Sequence, residues 1–485
     1  MRRPAYFFLL LLAGVFLWSC DEYDNWTVSP SARLTFSRDT VRFDTVITGQ
    51  GSPTQTFLVT NANKEGLRIV RVALGRGDAS LFRVNVDGQY LAGGVGTDFE
   101  VRARDSIYVR AEVSLPQADE DTIRTFEETL VFTLESGRQQ EVKLLANGLN
   151  VTLLQGETIL RDTTLQAGRP YLVRDSLVVA PGATLTLAAG TTLMFHDGVS
   201  LVVHGRLKAE GSLQAPVTLR GDRVDRLFPY LPYDNTPNRW GGVHFTAASY
   251  GNELVQCDIH SGDYGLRCDS SALDIQKLRV ENSVIHNVAG PAVHLTSCQT
   301  EFVGTQISNS LEDCLYILGG DHRFTHCTVA QFYPWLADRG HALFLANQSG
   351  DVGYPLLRAD FVNCVITGYA DDVIMGALDA KKRYAEEYLF SHSLLRTVEP
   401  APKDADRFQV IRYDVEDSKD RDKITGKNHF RIFDTTNFLY DFEPDSLSPI
   451  RALADAVVAA RWPVDRRGNS RLADGNPDAG AYECK

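Results

Sequence analysis

The chain is short of three things, and each shortage removes a class of function. Positive charge is the first. Across 485 residues, 49 Lys and Arg stand against 62 Asp and Glu, a formal −13, and no basic cluster rises above the background. Nucleic acid is therefore a poor partner, because phosphate binding needs concentrated Lys and Arg. Cys-x-x-Cys spacing is also missing, which leaves a thiolate zinc site without support. Apolar length is the third shortage. The run from Ala5 to Trp18 is too short a core for a stable membrane span.

What the chain does have is a phrase that returns. It reads Leu254-Val-Gln-Cys257-Asp-Ile259, Val280-Glu-Asn-Ser283-Val-Ile285 and Phe302-Val-Gly-Thr305-Gln-Ile307. It continues as Phe324-Thr-His-Cys327-Thr-Val329, Phe361-Val-Asn-Cys364-Val-Ile366 and Phe390-Ser-His-Ser393-Leu-Leu395. The small residues are spaced by 26, 22, 22, 37 and 29, which is a solenoid period with two inserted loops. Two apolar positions, a polar corner and then small-x-apolar fit two short strands meeting at a bend, not a helix. A further apolar patch follows each phrase (Leu266, Val293, Leu315, Leu343, Val373), giving three strands per turn. This resembles the right-handed parallel β-helix, in which polar corners can hydrogen-bond up the stack. A β-sandwich would also give many short strands, but not a fixed phrase. Cys257, Cys327 and Cys364 sit at the small inward position and read as compact core residues.

Residues 1–19 read as a secretory signal: Arg2-Arg3, the apolar run, then Ser19-Cys20. Leu17-Trp-Ser-Cys20 resembles a bacterial lipobox, which implies lipidation at Cys20 and a membrane anchor there. Asp21-Glu22-Tyr23-Asp24 resembles the acidic tag that sends Bacteroidetes lipoproteins to the outer cell surface; a periplasm-facing lipoprotein is the alternative. A linker is expected over 20–31. From 32 to 150, alternating strands such as Thr56–Val59, Leu67–Val72 and Ile107–Val113 predict an Ig-like β-sandwich, a spacer with no visible catalytic constellation. The stretches Tyr171–Val179, Thr184–Leu187 and Leu201–Val203 suit the opening coils of the solenoid.

The carboxyl end carries Asp465-Arg-Arg-Gly468-Asn-Ser-Arg471 and then Asp478-Ala-Gly480-Ala-Tyr482-Glu483. It is similar to the D-x-x-G-x-x-R…D-x-G-A-x-E signature that closes many bacterial β-helix domains. The whole chain thus resembles a family of Bacteroidetes cell-envelope lipoproteins with an Ig-like front and a β-helix behind. The resemblance implies architecture and location and carries over no activity. The expected fold is all-β, with a β-helix over 151–485, inserted loops at 222–239, 330–340, 346–355 and 379–428, and a cap at 462–485 that brings Arg471 near Glu483 or Asp478. Ala452–Arg461 reads as one short helix. No cofactor is expected, calcium on these carboxylates being the one cation considered.

Two candidate sites follow. Two residues before the apolar anchor stand Asp313, His341 and Asp371, which in register would stack one per coil and could act as acid and base on a glycosidic bond. Stacked polar corners are more often structural. The second candidate is a pair of aromatic loops, with Phe228, Tyr230, Tyr233 and Trp240 in one and Tyr333 and Trp335 in the other. Both leave the same edge of the coil, about four coils and on the order of 20 Å apart, where aromatic faces can stack on sugar rings. Folding back as plugs is the competing reading. The expected function is a non-catalytic surface lipoprotein that binds polysaccharide or a cell-envelope protein, or scaffolds the cell envelope. A polysaccharide lyase or glycoside hydrolase and a structural adhesin are the alternatives.

Overall fold

The computed structural model of the chain describes residues 25–117, 123–416 and 423–484. The predicted signal, Cys20 and the acidic tag lie outside the described residues, as does part of the charged run after Asp414. No described helix is long and apolar enough to cross a membrane. The chain divides after Leu149 into two units.

In the first unit, strands alternate buried and exposed residues, as in Ser106–Val113, and pair into two sheets. One has the order Thr35–Phe36, Gln55–Thr60, Ser106–Val113, Phe82–Val86, Gln89–Tyr90. The other begins Thr40–Ile47, Gln139–Leu149, Arg124–Leu134, Leu67–Leu74. The first of these strands runs parallel to the second, and the rest of the ladder is antiparallel. Val59, Val84 and Val109 of one sheet share a core with Ile69, Phe132 and Leu144 of the other. Period-2 patterning on strands of this length produces that result directly, because each sheet must bury one face.

The second unit is built on one sheet of 26 strands, with three two-stranded hairpins beside it among the described residues, and each strand of the repeat pairs in parallel with the repeat strand three places on. That pairing is a coil of three strands, a parallel β-helix. The repeated phrase bends where it was expected to, and the reason is conformational. Gln256, Asn282, His326, Asn363 and His392 have φ between 49° and 59°, and Gly304 fills the same slot at 56°. The corner requires the left-handed region, which Asn and Gly enter at low cost and β-branched residues do not. The next residue must be small because its side chain turns inward and serves the neighbouring coil. Cys257 N donates to Ser283 Oγ (3.0 Å), and Cys364 N donates to Ser393 Oγ (2.9 Å). The ladder up the stack is built mainly from these inward hydroxyls. The corner side chains add one link, between Asn363 Nδ2 and His326 Nε2 at 3.0 Å.

Inside, Phe302, Phe324, Phe361, Phe390 and Phe408 stand in register with ring centres 4.7–5.3 Å apart. Stacked coils impose that spacing, and near-parallel rings satisfy it. Outside, each of the three faces carries its own column. The first runs Lys208, Glu253, Arg279, Glu301, Arg323, Asp360, alternating in sign at every coil. The second runs His244, Arg267, His294, Tyr316, Phe344, Met375. The third runs Arg220, His260, His286, Ser308, Ala330, Thr367. Loops and the carboxyl-terminal segment cover this third face.

Two expectations change here. The region 379–428 is not one long insertion: Leu389–Leu395 and Phe408–Tyr413 pair in parallel and carry the coil onward. The signature at 462–485 does not cap the last coil but lies along its flank. Tyr482 OH donates to Gln306, Ala481 N to Thr328 Oγ1 (2.9 Å) and Gly480 N to Asn363 O (2.8 Å), three successive coils. Outward positions there are small or polar and leave a groove that a strap fills. Arg471 does reach Glu483, at 3.1 Å with both side chains buried. The helix within 452–461 is the single turn Ala456–Ala459, N-capped by Asp455.

Candidate functional site

The third face holds the densest chemistry. Asp258 and His260 lie on Cys257–His260, and His286 on Val284–Val288 of the next coil. Alternation along a strand turns 258 and 260 to the same outer side. Asp258 Oδ1 meets His260 Nδ1 at 2.7 Å and His286 Nε2 at 3.1 Å. His260 Nε2 meets Asp234 Oδ1 at 2.9 Å, and the other oxygen of Asp234 pairs with Arg220 at 2.7 Å. Asp234 arrives on the first aromatic loop, whose Trp240 is fully buried, stacks on Phe195 at 4.5 Å and donates to the carbonyl of His260 (2.7 Å). Burial opposes charge on both partners. Even so, Asp234 and Asp258 push the His260 imidazole up to about 10, and the two imidazoles hold Asp258 well below the usual carboxylate range.

Asp258 and His286 open onto a polar cleft of about 290 Å³ that is also lined by Gln306, Ser308, Asp441 and Arg467. Arg467 is fixed by Asp441 at 2.7 Å and by Glu443. At the rim of the cleft stands Phe438, held at φ 56° in a hairpin tip where Asp434 accepts from the backbone of Thr436 and Asn437. A ring-bearing residue adopts that conformation only when its surroundings impose it. Phe438 stacks on Trp335 (4.2 Å) and lies parallel to Tyr230 (6.3 Å), which in turn faces Phe228 (5.7 Å). Thus the two aromatic loops are joined by a third segment into one row of near-parallel rings. Phe228 and Tyr230 remain about half exposed.

The other aromatics of those loops are plugs. Trp240 and Tyr333 are buried, and Tyr233 is clamped between the guanidinium groups of Arg223 and Arg239. Burial withdraws Trp240 and Tyr333 from any ligand, and the two guanidinium contacts occupy the half-buried ring of Tyr233.

The acidic-histidine edge is brought together in part. His341 Nδ1 lies 3.1 Å from Asp313 Oδ1, which also accepts from the His341 backbone (2.7 Å). Asp371 does not join them. Its carboxylate is bound by Arg396 at 2.9 Å, and the strand register pairs Leu343 with Ile374, so Asp372 stands in the column below His341. The slip is one residue, caused by taking Val373 rather than Ile374 as the anchor. Gln331, Arg339, His341, Tyr369 and Asp372 line a cleft of about 310 Å³ on this edge.

The carboxylates of the strap do not suit calcium. Asp465 accepts from the backbone of Arg467, Asn469 and Glu483, Asp478 from Ala452 and Cys484, and Glu483 from Arg471. A calcium ion needs six to eight oxygens turned towards it, and these are turned towards N–H groups. The sequence reading passed over Asp258, His260 and His286. The repeat spacing of 26 from Cys257 to Ser283, applied to the outward positions, would have aligned His260 with His286.

No family model and no curated protein matches this chain. Solved structures align weakly. A PapD-like domain of human CEP192 shares 13% identity over 26% of this chain and 91% of that one, with a TM-score of 0.18. A family 123 glycoside hydrolase from Clostridium perfringens shares 6% over 27% of this chain and 30% of its own, with a TM-score of 0.20. A protein of unknown function from Porphyromonas gingivalis shares 13% over 26% and 59%, with a TM-score of 0.17. At these scores the likenesses carry no argument about function.

Proposed function

We propose that this chain is a surface-exposed lipoprotein, anchored through Cys20, whose β-helix binds polysaccharide without turning it over. In this reading the first unit is an Ig-like spacer and the coil winds right-handed, the sense that twisted strands favour. The observation that carries the reading is the row Phe228–Tyr230–Phe438–Trp335 beside a polar cleft. Three separate segments converge to build it, one of them with a strained backbone. Flat apolar rings next to fixed carboxylate, amide and guanidinium groups match a sugar, which has apolar faces and a hydroxyl rim. Native gels cast with plant, host and microbial polysaccharides test it. Slowed migration that Tyr230→Ala and Trp335→Ala abolish supports the reading; unchanged retention in both variants removes it.

The second reading, a polysaccharide lyase or glycoside hydrolase, draws support from the Asp313–His341 pair and the cleft beside Asp372. Clearing of polysaccharide in the gel, lost in His341→Ala, would favour it. No effect in any gel would favour a cell-envelope protein as partner, or the adhesin reading.

A further inference from the structure

We propose that Asp258, His260 and His286 form a binding site for a late first-row divalent cation, of which Zn²⁺ is the probe. One ligand atom from each residue lies within 4.8 Å of those from the other two, and Asp258 Oδ1 directly faces both His260 Nδ1 and His286 Nε2. Around a cation at roughly 2.0–2.1 Å from each ligand, tetrahedral donors stand about 3.3–3.4 Å apart. Of the two observed separations, 3.1 Å needs to open by about 0.2–0.3 Å and 2.7 Å by about 0.6–0.7 Å, movements within reach of side-chain rotation.

A separate feature sets the ring of His260. Its Nε2 lies 2.9 Å from Asp234, whose far oxygen is held by Arg220. A carboxylate behind the distal nitrogen fixes the tautomer and directs the other nitrogen at the metal, the arrangement found behind ligating histidines generally. The Trp240 bond to the His260 carbonyl fixes the backbone beneath it. His260 itself is buried, while Asp258 and His286 face the polar cleft. The cation would therefore sit in the cleft wall, with its remaining positions turned to water or to an oxygen of a bound molecule. Two imidazoles and one carboxylate suit borderline cations and not calcium or magnesium. On binding, the two protons that point at Asp258 leave their nitrogens: the one on His260 Nδ1 goes to solvent, and the one on His286 Nε2 goes to solvent while His286 Nδ1 carries the ring proton. His260 Nε2 keeps its own proton, donated to Asp234.

The bland account of the same residues is a protonated His260 locked between two carboxylates, with no affinity for metal. Metal analysis of the chelator-treated, Zn²⁺-reloaded and desalted full chain separates the two. The expected result is one Zn²⁺ per chain, lost in His286→Ala, a variant that leaves the Asp234–His260–Asp258 contacts in place. Asp234→Asn should weaken affinity about 10–100-fold, and His341→Ala should change nothing. Co²⁺ added to the unaltered chain should give visible ligand-field bands that Zn²⁺ displaces, a readout that needs no variant to fold. Absence of those bands, retention of Zn²⁺ by His286→Ala equal to that of the parent chain, or its loss in His341→Ala would each overturn the proposal.

Discussion

At the level of single residues, the corner of each coil and one buried histidine are the most exposed to test. Gly304 has φ 56°, and a Cβ there would meet Asn282 Oδ1 at 2.3 Å, so Gly304→Ala should cost about 1–3 kcal/mol in urea unfolding. Asn282→Gly should be close to neutral. His322 is fully buried, with Nε2 on the Gly319 carbonyl and Nδ1 on Thr300 Oγ1, both at 2.8 Å. That pairing makes Nε2–H the donor and Nδ1 the acceptor, a neutral ring. Burial pushes its pKa down to about 4, while the unfolded chain takes the proton near 6.5. Between those values the unfolded state binds more protons than the folded one. The stability it contributes is present above pH 6.5 and lost as pH falls through about 4. The loss should be about 3 kcal/mol, and His322→Gln should flatten that part of the stability–pH curve. The corner was legible in the sequence as a polar position, because Asn, His and Gly share a backbone preference. Trp240 and Tyr333 were not legible as plugs, since an aromatic in a Pro-rich loop looks the same whether it turns in or out.

At the scale of elements, the alternating charge column and the strap make opposite kinds of contribution. Glu301 sits between Arg279 and Arg323 on neighbouring coils. Glu301→Lys puts three cations in a row and should cost about 1 kcal/mol, the cost shrinking as salt is added. Arg471 is different, because its partner Glu483 is buried with it. Arg471→Ala leaves a carboxyl group stranded under the strap and should lower stability by about 3–5 kcal/mol in thermal melts. The strands themselves could be read from the phrase almost residue by residue. The strap's course could not. Its motif brings Arg471 near Glu483 or Asp478, and says nothing of the groove of small residues, Ser308, Ala330 and Thr367, that receives it. The slip at Asp371 has the same origin: after a loop, two adjacent apolar residues compete as anchor, and only pairing decides.

For the molecule as a whole, the cysteines give a direct check. Six cysteines, Cys257, Cys268, Cys298, Cys314, Cys327 and Cys364, are free and buried. Burial pushes the Cys257 and Cys314 thiols up to about 12, far from the reactive thiolate. In a chain carrying Cys20→Ser and Cys484→Ser, a thiol reagent should label none of these six in the native state and all six in guanidinium, and reductant should leave the melting temperature unchanged. The parallel coil also has a consequence in time. A stack of coils binds only neighbours and can assemble as fast as it is delivered. The strap breaks that locality, since Asp455 and Arg466 bond residues 92 and 210 positions earlier. Such distant closures are slow to find. Every coil from Gln256 to Asn363 must therefore wait, complete but unlatched, until translation has run on by that many residues. A chain crossing a membrane during this interval would travel with its third face uncovered, and protease sensitivity confined to that interval would record the wait.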